Sequence, residues 1–156
     1  MTVTKKLYRA FLTFASGLCL TSCFHSVAYH QYADVDVWNW SDADTLTFVL
    51  PRTVSSGELM PTVGVRTTSS FPYKVLHLKL VMSCDDEVLT TDTVYVVVYD
   101  SNGQPLGTGF PYITTLKSLQ PVYVDSGRIY TFCINHMMGE ESVKGVTKVG
   151  IELDVP

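Results

Sequence analysis

From residue 46 onward, apolar and polar positions alternate with a period of two, which is the spacing of a strand with one buried face. The clearest run is residues 73–83, where Leu76, Leu78, Leu80 and Met82 share one side. Residues 93–99 are apolar on both sides, which predicts a central strand. Further segments with strand character are residues 46–50, 60–68, 120–124, 128–136 and 146–155. The pattern therefore predicts an all-β chain.

Turn signals separate these segments, among them the acidic residues 85–87 and the Asp-Ser-Asn-Gly run at residues 100–103. About seven or eight strands with turns between them are typical of a single antiparallel β-sandwich, either Ig-like or jelly-roll-like. Residues 112–119 are the one segment in which the pattern allows a short helix. We see no internal repeat and no second domain, and we expect the sandwich to occupy residues 34–156.

The N-terminus has a different pattern, with Lys5, Lys6 and Arg9 followed by an uncharged apolar run at residues 10–20. This run is shorter than the roughly 20 residues that a membrane span needs, and its layout is that of a secretory signal peptide. Residues 20–22, Leu-Thr-Ser, are followed directly by Cys23, and this sequence resembles the lipobox of a bacterial lipoprotein. We predict a cleaved signal at residues 1–22, lipid on Cys23 and a tether through residue 33. The alternatives are an ordinary signal peptide and a short buried helix.

The net charge of the chain limits the classes of partner that it is expected to bind. The whole chain has a net charge of −4, and removal of the signal, with its three basic residues and no acidic ones, leaves −7. An acidic domain without a basic run argues against nucleic acid and against electrostatic docking on anionic lipid. We therefore expect membrane attachment through the lipid anchor alone. In some bacterial lipoproteins an acidic run just after the lipidated cysteine resembles a surface-export signal. No acidic cluster directly follows Cys23, which favours a domain that faces the periplasm.

Two cysteines, Cys84 and Cys133, remain in the expected oxidising compartment. Strand alternation puts Cys84 on the apolar side of its strand and Cys133 on the opposite side from its apolar neighbours, which favours free thiols over a disulfide. The histidines are scattered, with no pair at metal-binding spacing. Two Asp-x-Asp pairs, at residues 34–36 and 42–44, lack a glycine-containing calcium loop, so we expect turn and strand-edge acids and no metal site.

Catalytic motifs are missing from the sequence. No Gly-x-Ser-x-Gly elbow or Ser-x-x-Lys occurs, and the two glycines of residues 106–109 match no phosphate-binding loop. A glycosidase would need two carboxylates facing each other across a cleft, and nothing in the sequence points to them. We predict a protein that is not an enzyme and has no cofactor.

Two pairs of residues suggest other kinds of surface site. Trp38 and Trp40 would share a face if extended and could stack on a glycan, whereas the alternative, which we favour, is that one of them fills the end of the core. Thr45 and Thr93 stand in Asp-Thr-apolar triplets, a pattern that resembles O-glycosylation sites of Bacteroidota envelope proteins. A threonine entering a strand is the ordinary alternative for both.

A set of residues running through nearly the whole mature chain has the order and spacing of one lipoprotein family: Tyr32, Trp38, residues 44–50, Arg66, residues 71–73, Leu76, residues 92–93, Asp100, Gly103, residues 106–107, Gly109, Gly127, Tyr130, Phe132, Ile134, His136, Met137, residues 145–146 and residues 149–152. On these residues the mature sequence resembles the gliding-motility lipoprotein GldH family of Bacteroidota. It departs from the family pattern at Pro105, Met138 and Lys148.

The resemblance implies an outer-membrane lipoprotein that belongs to or supports the gliding machinery and the linked secretion apparatus. It brings no catalytic residues. Our first expectation is a lipid-anchored β-sandwich that acts through contacts with envelope proteins. The second is a glycan- or peptidoglycan-binding lipoprotein that uses Trp38, Trp40 or exposed tyrosines.

Overall fold

The computed structural model describes residues 26–156, which form eleven β-strands and, within that range, no helix. This confirms the predicted all-β class. The strands are β1 (Ser26–Asp34), β2 (Trp40–Ser41), β3 (Leu46–Val49), β4 (Gly57–Thr68), β5 (Val75–Cys84), β6 (Glu87–Val97), β7 (Tyr112–Ser118), β8 (Val122–Val124), β9 (Tyr130–His136), β10 (Ser142–Val143) and β11 (Val146–Val155).

Two antiparallel sheets of four principal strands make up the sandwich. The first has the order β1-β11-β4-β7, with the short β8 added beside the start of β4, and the second has the order β3-β9-β5-β6. Counting only these eight strands, the first pairs with the last, the second with the seventh, the third with the sixth and the fourth with the fifth. That nested pairing is a jelly roll, so the structure decides between the two predicted kinds of sandwich. The remaining strands, β2 and β10, pair with each other.

The core lies between the inner faces of the two sheets, as the alternating pattern requires. β5 and β9 bury every second residue, including the predicted row from Leu76 to Met82. In β11 the buried row ends in Ile151 and Leu153. Packing these apolar rows against each other is the main favourable term in folding such a domain.

Three expectations from the sequence were wrong. Residues 112–118 form β7 rather than a helix, since Tyr112 to Ser118 pair with β4 along their length. Residues 26–33, expected to be part of a tether, belong to β1 and are paired with β11. Residues 93–97 belong to an edge strand rather than a central one, with Val94 and Val96 buried and Tyr95 and Val97 exposed.

The cysteines lie where strand alternation put them. Cys84 is buried and Cys133 is half-buried, and neither forms a disulfide. In the pairing of β5 with β9, Cys84 is opposite Tyr130, and Cys133 lies three residues further along β9. Cys84 and Cys133 lie on opposite faces of the sheet. Three residues along a strand span roughly 10 Å, beyond the reach of a disulfide.

Tyr32 lies across the outer face of the first sheet, over two glycines. A Cβ atom on Gly64 would stand 2.7 Å from Cζ of Tyr32, and one on Gly150 would stand 2.5 Å from its Cγ. Only glycine leaves room for the ring to cover β11 and β4 together. Burial and the carboxylate of Glu152 raise the pKa of Tyr32, against an opposing effect of Arg66.

The predicted acidic turn joins β5 to β6. Asp85 and Asp86 have φ values of 48° and 69°, the left-handed region that two-residue hairpin turns require. Nε of Arg128 donates to Oδ2 of Asp85 at 2.8 Å, and the backbone N–H of Ile129 donates to Oδ1 at 3.0 Å. These two donors hold the pKa of Asp85 below its usual value.

Candidate functional site

The predicted lipidation site, Cys23, lies outside the described residues, so its modification stays a prediction. The predicted signal peptide lies outside them as well. Within residues 26–156, no helix has the length and apolar character needed to cross a membrane.

Trp40 is part of the core rather than of a surface platform. It lies in β2 opposite Val143, and only 1% of its surface is exposed. The ring of His136 packs edge-on against it, with 5.1 Å between centroids, and Nε2–H of His136 donates to the carbonyl oxygen of Trp40 at 3.0 Å. Trp40 therefore has no face open to a sugar, which corrects its assignment as a stacking residue and agrees with the favoured core alternative.

Trp38, in contrast, is 74% exposed. Residues 36–39 form a turn in which Asp36 accepts two backbone hydrogen bonds, from Trp38 to its Oδ1 and from Asn39 to its carbonyl oxygen. The prediction of a shared face assumed an extended chain, and this turn points the two tryptophans in different directions. A two-tryptophan stacking platform is therefore not assembled, and Trp38 remains as a single exposed aromatic.

A groove of about 600 Å³ lies beside Thr45. The amide of Asn135 donates to Oγ1 of Thr45 at 2.8 Å and to the carbonyl oxygen of Asp42 at 3.3 Å. Lys79 and Glu140 add charges of opposite sign to its wall. The groove is shallow and polar, which suits hydrogen bonding to a polar group better than the enclosed apolar surface of a typical small-molecule site.

The far wall of this groove is ordered by a second polar pair. The phenol of Tyr73 donates to Oε1 of Glu140 at 2.7 Å. That hydrogen bond, together with the negative charge of the carboxylate, raises the pKa of Tyr73. His136 also borders the groove, and its Nδ1 is buried with no hydrogen-bond partner among the described residues. None of these contacts pairs a nucleophile with a base.

Thr45 and Thr93 are both exposed, Thr45 just before β3 and Thr93 on the outer face of β6 opposite Lys79. Thr93 borders a second groove of about 410 Å³, which runs between β6 and the end of β7. Thr45 borders the first of these grooves and Thr93 the second, so the two threonines do not form one site. Their O-glycosylation stays a prediction, and their exposure leaves both hydroxyls accessible.

The acidic pairs considered for calcium have local structural roles. Asp34 forms an ion pair with Lys148 of β11, and Oδ2 of Asp44 accepts a hydrogen bond from the backbone of Ser41. Across residues 26–156, no three His, Cys, Asp or Glu side chains meet in a way that could hold a metal ion.

Sequence reasoning missed a set of exposed apolar residues along the seam, which we define as the open side of the sandwich between β6 and β7. A third groove of about 380 Å³ lies there, between Tyr95 of β6 and Leu116 of β7. Phe110, just before β7, is 96% exposed. In β7, Ile113 and Thr115 are buried and Leu116 is exposed, an alternation too short to exclude the short helix that the sequence also allows at residues 112–119.

Comparison with known proteins gives one family. The model of the family described as GldH lipoprotein matches residues 27–153. No curated protein matches the sequence.

Among solved structures, the chain is similar to dimeric latent PorU from Porphyromonas gingivalis, with 12% identity and a TM-score of 0.39. That similarity covers 86% of this chain and 13% of the PorU chain, so this chain spans a small part of that protein's length. It is also similar to Eiger TNF from S. frugiperda, with 10% identity and a TM-score of 0.28, covering 85% of this chain and 88% of that one.

Proposed function

Because the chain belongs to the GldH lipoprotein family, we propose that it is a lipid-anchored envelope protein without enzymatic activity, which acts through protein–protein contacts in or near the gliding and secretion machinery. The observation that carries the proposal is the family match, which begins at residue 27, directly behind the lipobox that ends at Cys23. The anchor holds the domain at the outer membrane, facing the periplasm.

Physical chemistry supports attachment by lipid. A single acyl chain gives marginal membrane binding, whereas two or more on one residue hold a domain stably. The mature chain is acidic, so its own charge contributes nothing favourable on an anionic surface. Attachment then depends on Cys23.

The exposed apolar residues support contacts with other proteins. Trp38 and Phe110 are far more exposed than large apolar side chains usually are, and Tyr95 and Leu116 flank the groove of the seam. Aromatic residues of this kind are enriched where proteins bind one another. The polar groove beside Thr45 contributes hydrogen-bonding groups at a separate place.

The anchor is tested by substituting Cys23 and fractionating cells. Cys23→Ala should move the protein out of the membrane fraction while its melting temperature stays unchanged. Cys133→Ala is the matched control, since it also removes a thiol and should leave the protein in the membrane. A Cys23→Ala protein that still sediments with outer membranes after a high-salt wash would contradict the proposal.

The contacts are tested by photo-crosslinking in intact cells. A photoreactive residue at Phe110 should attach defined envelope proteins, and the same residue at Thr47, which is exposed on β3 of the other sheet, is the control. Identical products from both positions, or none from either, would count against a specific partner.

A second function, glycan or peptidoglycan binding, is favoured by one observation, the exposed ring of Trp38. Aromatic rings of this kind supply the apolar surface on which a sugar stacks. Retention on peptidoglycan that is lost with Trp38→Ala and kept with Phe110→Ala would establish it. Envelope proteins that still crosslink to the Trp38→Ala variant would favour the first function.

A further inference from the structure

The folded domain begins much closer to the predicted lipid than the sequence suggested. β1 starts at Ser26, three positions after Cys23. Three residues reach at most about 11 Å even when fully extended. From Ser26 onward, β1 is paired with β11, from Ser26 opposite Val155 to Asp34 opposite Lys148. A lipid on Cys23 therefore holds one fixed point of the sandwich within about 11 Å of the anchored sulfur.

We call the end of the sandwich at that point the near end, formed by the starts of β1 and β4, the end of β11, and β8. Val155 ends β11 there, and across β4 the pair Glu58 and Tyr123 lies at the same level. Val27, Val155 and Tyr123 are all exposed, with Tyr123 at 65%. Tyrosine suits a lipid–water interface, because its ring is apolar and its hydroxyl stays hydrated.

The opposite, far end carries the turn after β1 and the residues before β7. Tyr112 at the start of β7 is opposite Thr68 at the end of β4, and Phe110 precedes it by two positions. Trp38 follows the end of β1 in the turn of residues 36–39. Eight steps of about 3.3 Å along β1 put roughly 26 Å between the two ends.

We propose that the near end rests on a zwitterionic phospholipid surface and that the far end, with Trp38 and Phe110, points away from it. The proposal rests on lipidation of Cys23 in the proposed function. Exposed Glu58 carries a carboxylate at the near end, so an anionic surface would repel it and a zwitterionic one does not. The contact is made by the three exposed side chains, and the short reach of the anchor keeps them at the lipid.

The test uses the full-length lipidated protein, purified from membranes and placed in phosphatidylcholine vesicles that carry nickel-chelating headgroups. Nitroxide labels go on Glu58→Cys at the near end, His30→Cys midway along β1, and Phe110→Cys at the far end, all in a Cys133→Ser background. We expect the collision rate with headgroup nickel to be several-fold higher for the near-end label than for the far-end label, with the midway label between them.

A flexible glycine–serine segment inserted between His25 and Ser26 is the matched control, and it should bring the three rates close together. Equal rates without the insertion, a higher rate at the far end, or equal rates for the near-end and midway labels would each overturn the proposal. The last pattern would mean that the domain lies on its β1 edge. Failure of the proposed function is a separate result, since a protein without lipid on Cys23 would not be retained by the vesicles at all.

Discussion

The contrast between the two tryptophans gives the sharpest test of the fold. Trp40 is fully buried, and replacing a buried tryptophan by alanine costs about 3–5 kcal/mol in transfer and cavity terms. The hydrogen bond from His136 survives in Trp40→Ala, because its acceptor is the backbone carbonyl. Nε1 of Trp40 has no hydrogen-bond partner within the described part of the chain, so losing it removes a small penalty. We expect a cost of about 3 kcal/mol, the lower end of that range.

Trp38→Ala is the matched control, because the same chemical change is made two residues away on an exposed side chain. It should shift the free energy of unfolding by less than about 0.5 kcal/mol. Trp40→Phe keeps a ring and drops the unpaired N–H, so it should cost less than about 2 kcal/mol.

Urea denaturation of the soluble mature domain, followed by far-UV circular dichroism, measures all three variants. The domain as a whole should have about 5–15 kcal/mol of stability, so a 3 kcal/mol loss is well resolved. Equal costs for Trp38→Ala and Trp40→Ala, or a cost under about 1 kcal/mol for Trp40→Ala, would refute the placement of Trp40 in the core.

Three further predictions follow from other contacts. Gly64→Ala should cost about 1–3 kcal/mol by displacing the ring of Tyr32, and the cost should fall in a Tyr32→Ala background when the two are compared in a double-mutant cycle. The pKa of Asp85 is lowered, so its stabilisation is present above the unfolded value of about 3.9 and is lost as pH falls through the folded value. Asp85→Asn should therefore lower the urea midpoint at pH 7, and the difference from the native protein should disappear in acid. In the native protein a thiol reagent should modify Cys133 readily, and Cys84 only as fast as the domain unfolds.

Each of these has a control within the chain. No atom would lie within 4 Å of a Cβ on Gly57, so Gly57→Ala should be nearly neutral, and an equal cost at both glycines would contradict the Tyr32 contact. Asp86→Asn removes a neighbouring negative charge but leaves the ion pair between Asp85 and Arg128 in place. If its stability changed with pH as that of Asp85→Asn does, the effect would come from the overall charge of the turn and not from the ion pair. For the cysteines, a native mass lower by two hydrogens would reveal a disulfide and contradict their placement on opposite faces.

Much of the fold could be predicted, because alternation reports directly on which face of a strand is buried. The row from Leu76 to Met82 and the opposite placement of Cys84 and Cys133 were read from that pattern and are observed. Alternation does not say which strand is a neighbour. Residues 94–97 of β6 are apolar on both faces, yet β6 lies at an edge, with Tyr95 and Val97 exposed.

The errors share a physical cause, which is that the missed strands are held by long-range pairing. Residues 112–118 have a weak alternation of their own and become a strand through β4, more than forty positions away in sequence. β1 pairs with the last strand of the chain.

The turn that separates Trp38 from Trp40 depends on Asp36, whose side chain and carbonyl oxygen both accept hydrogen bonds from the residues that follow.

The contact of the Tyr32 ring with Gly64 and Gly150 connects the fold to the proposed position at the membrane. β1 is an edge strand, paired only on the β11 side, and edge strands are the easiest to detach. The ring of Tyr32 covers Gly150 of β11 and Gly64 of β4, so that one side chain of β1 contacts two further strands. If β1 detached, the residues from Ser26 to Asp34 would add roughly 30 Å of reach to the anchor and free the near end from the lipid. If the near end rests on lipid as proposed, the two glycines set not only the packing of one ring but also how closely the domain is held to the membrane.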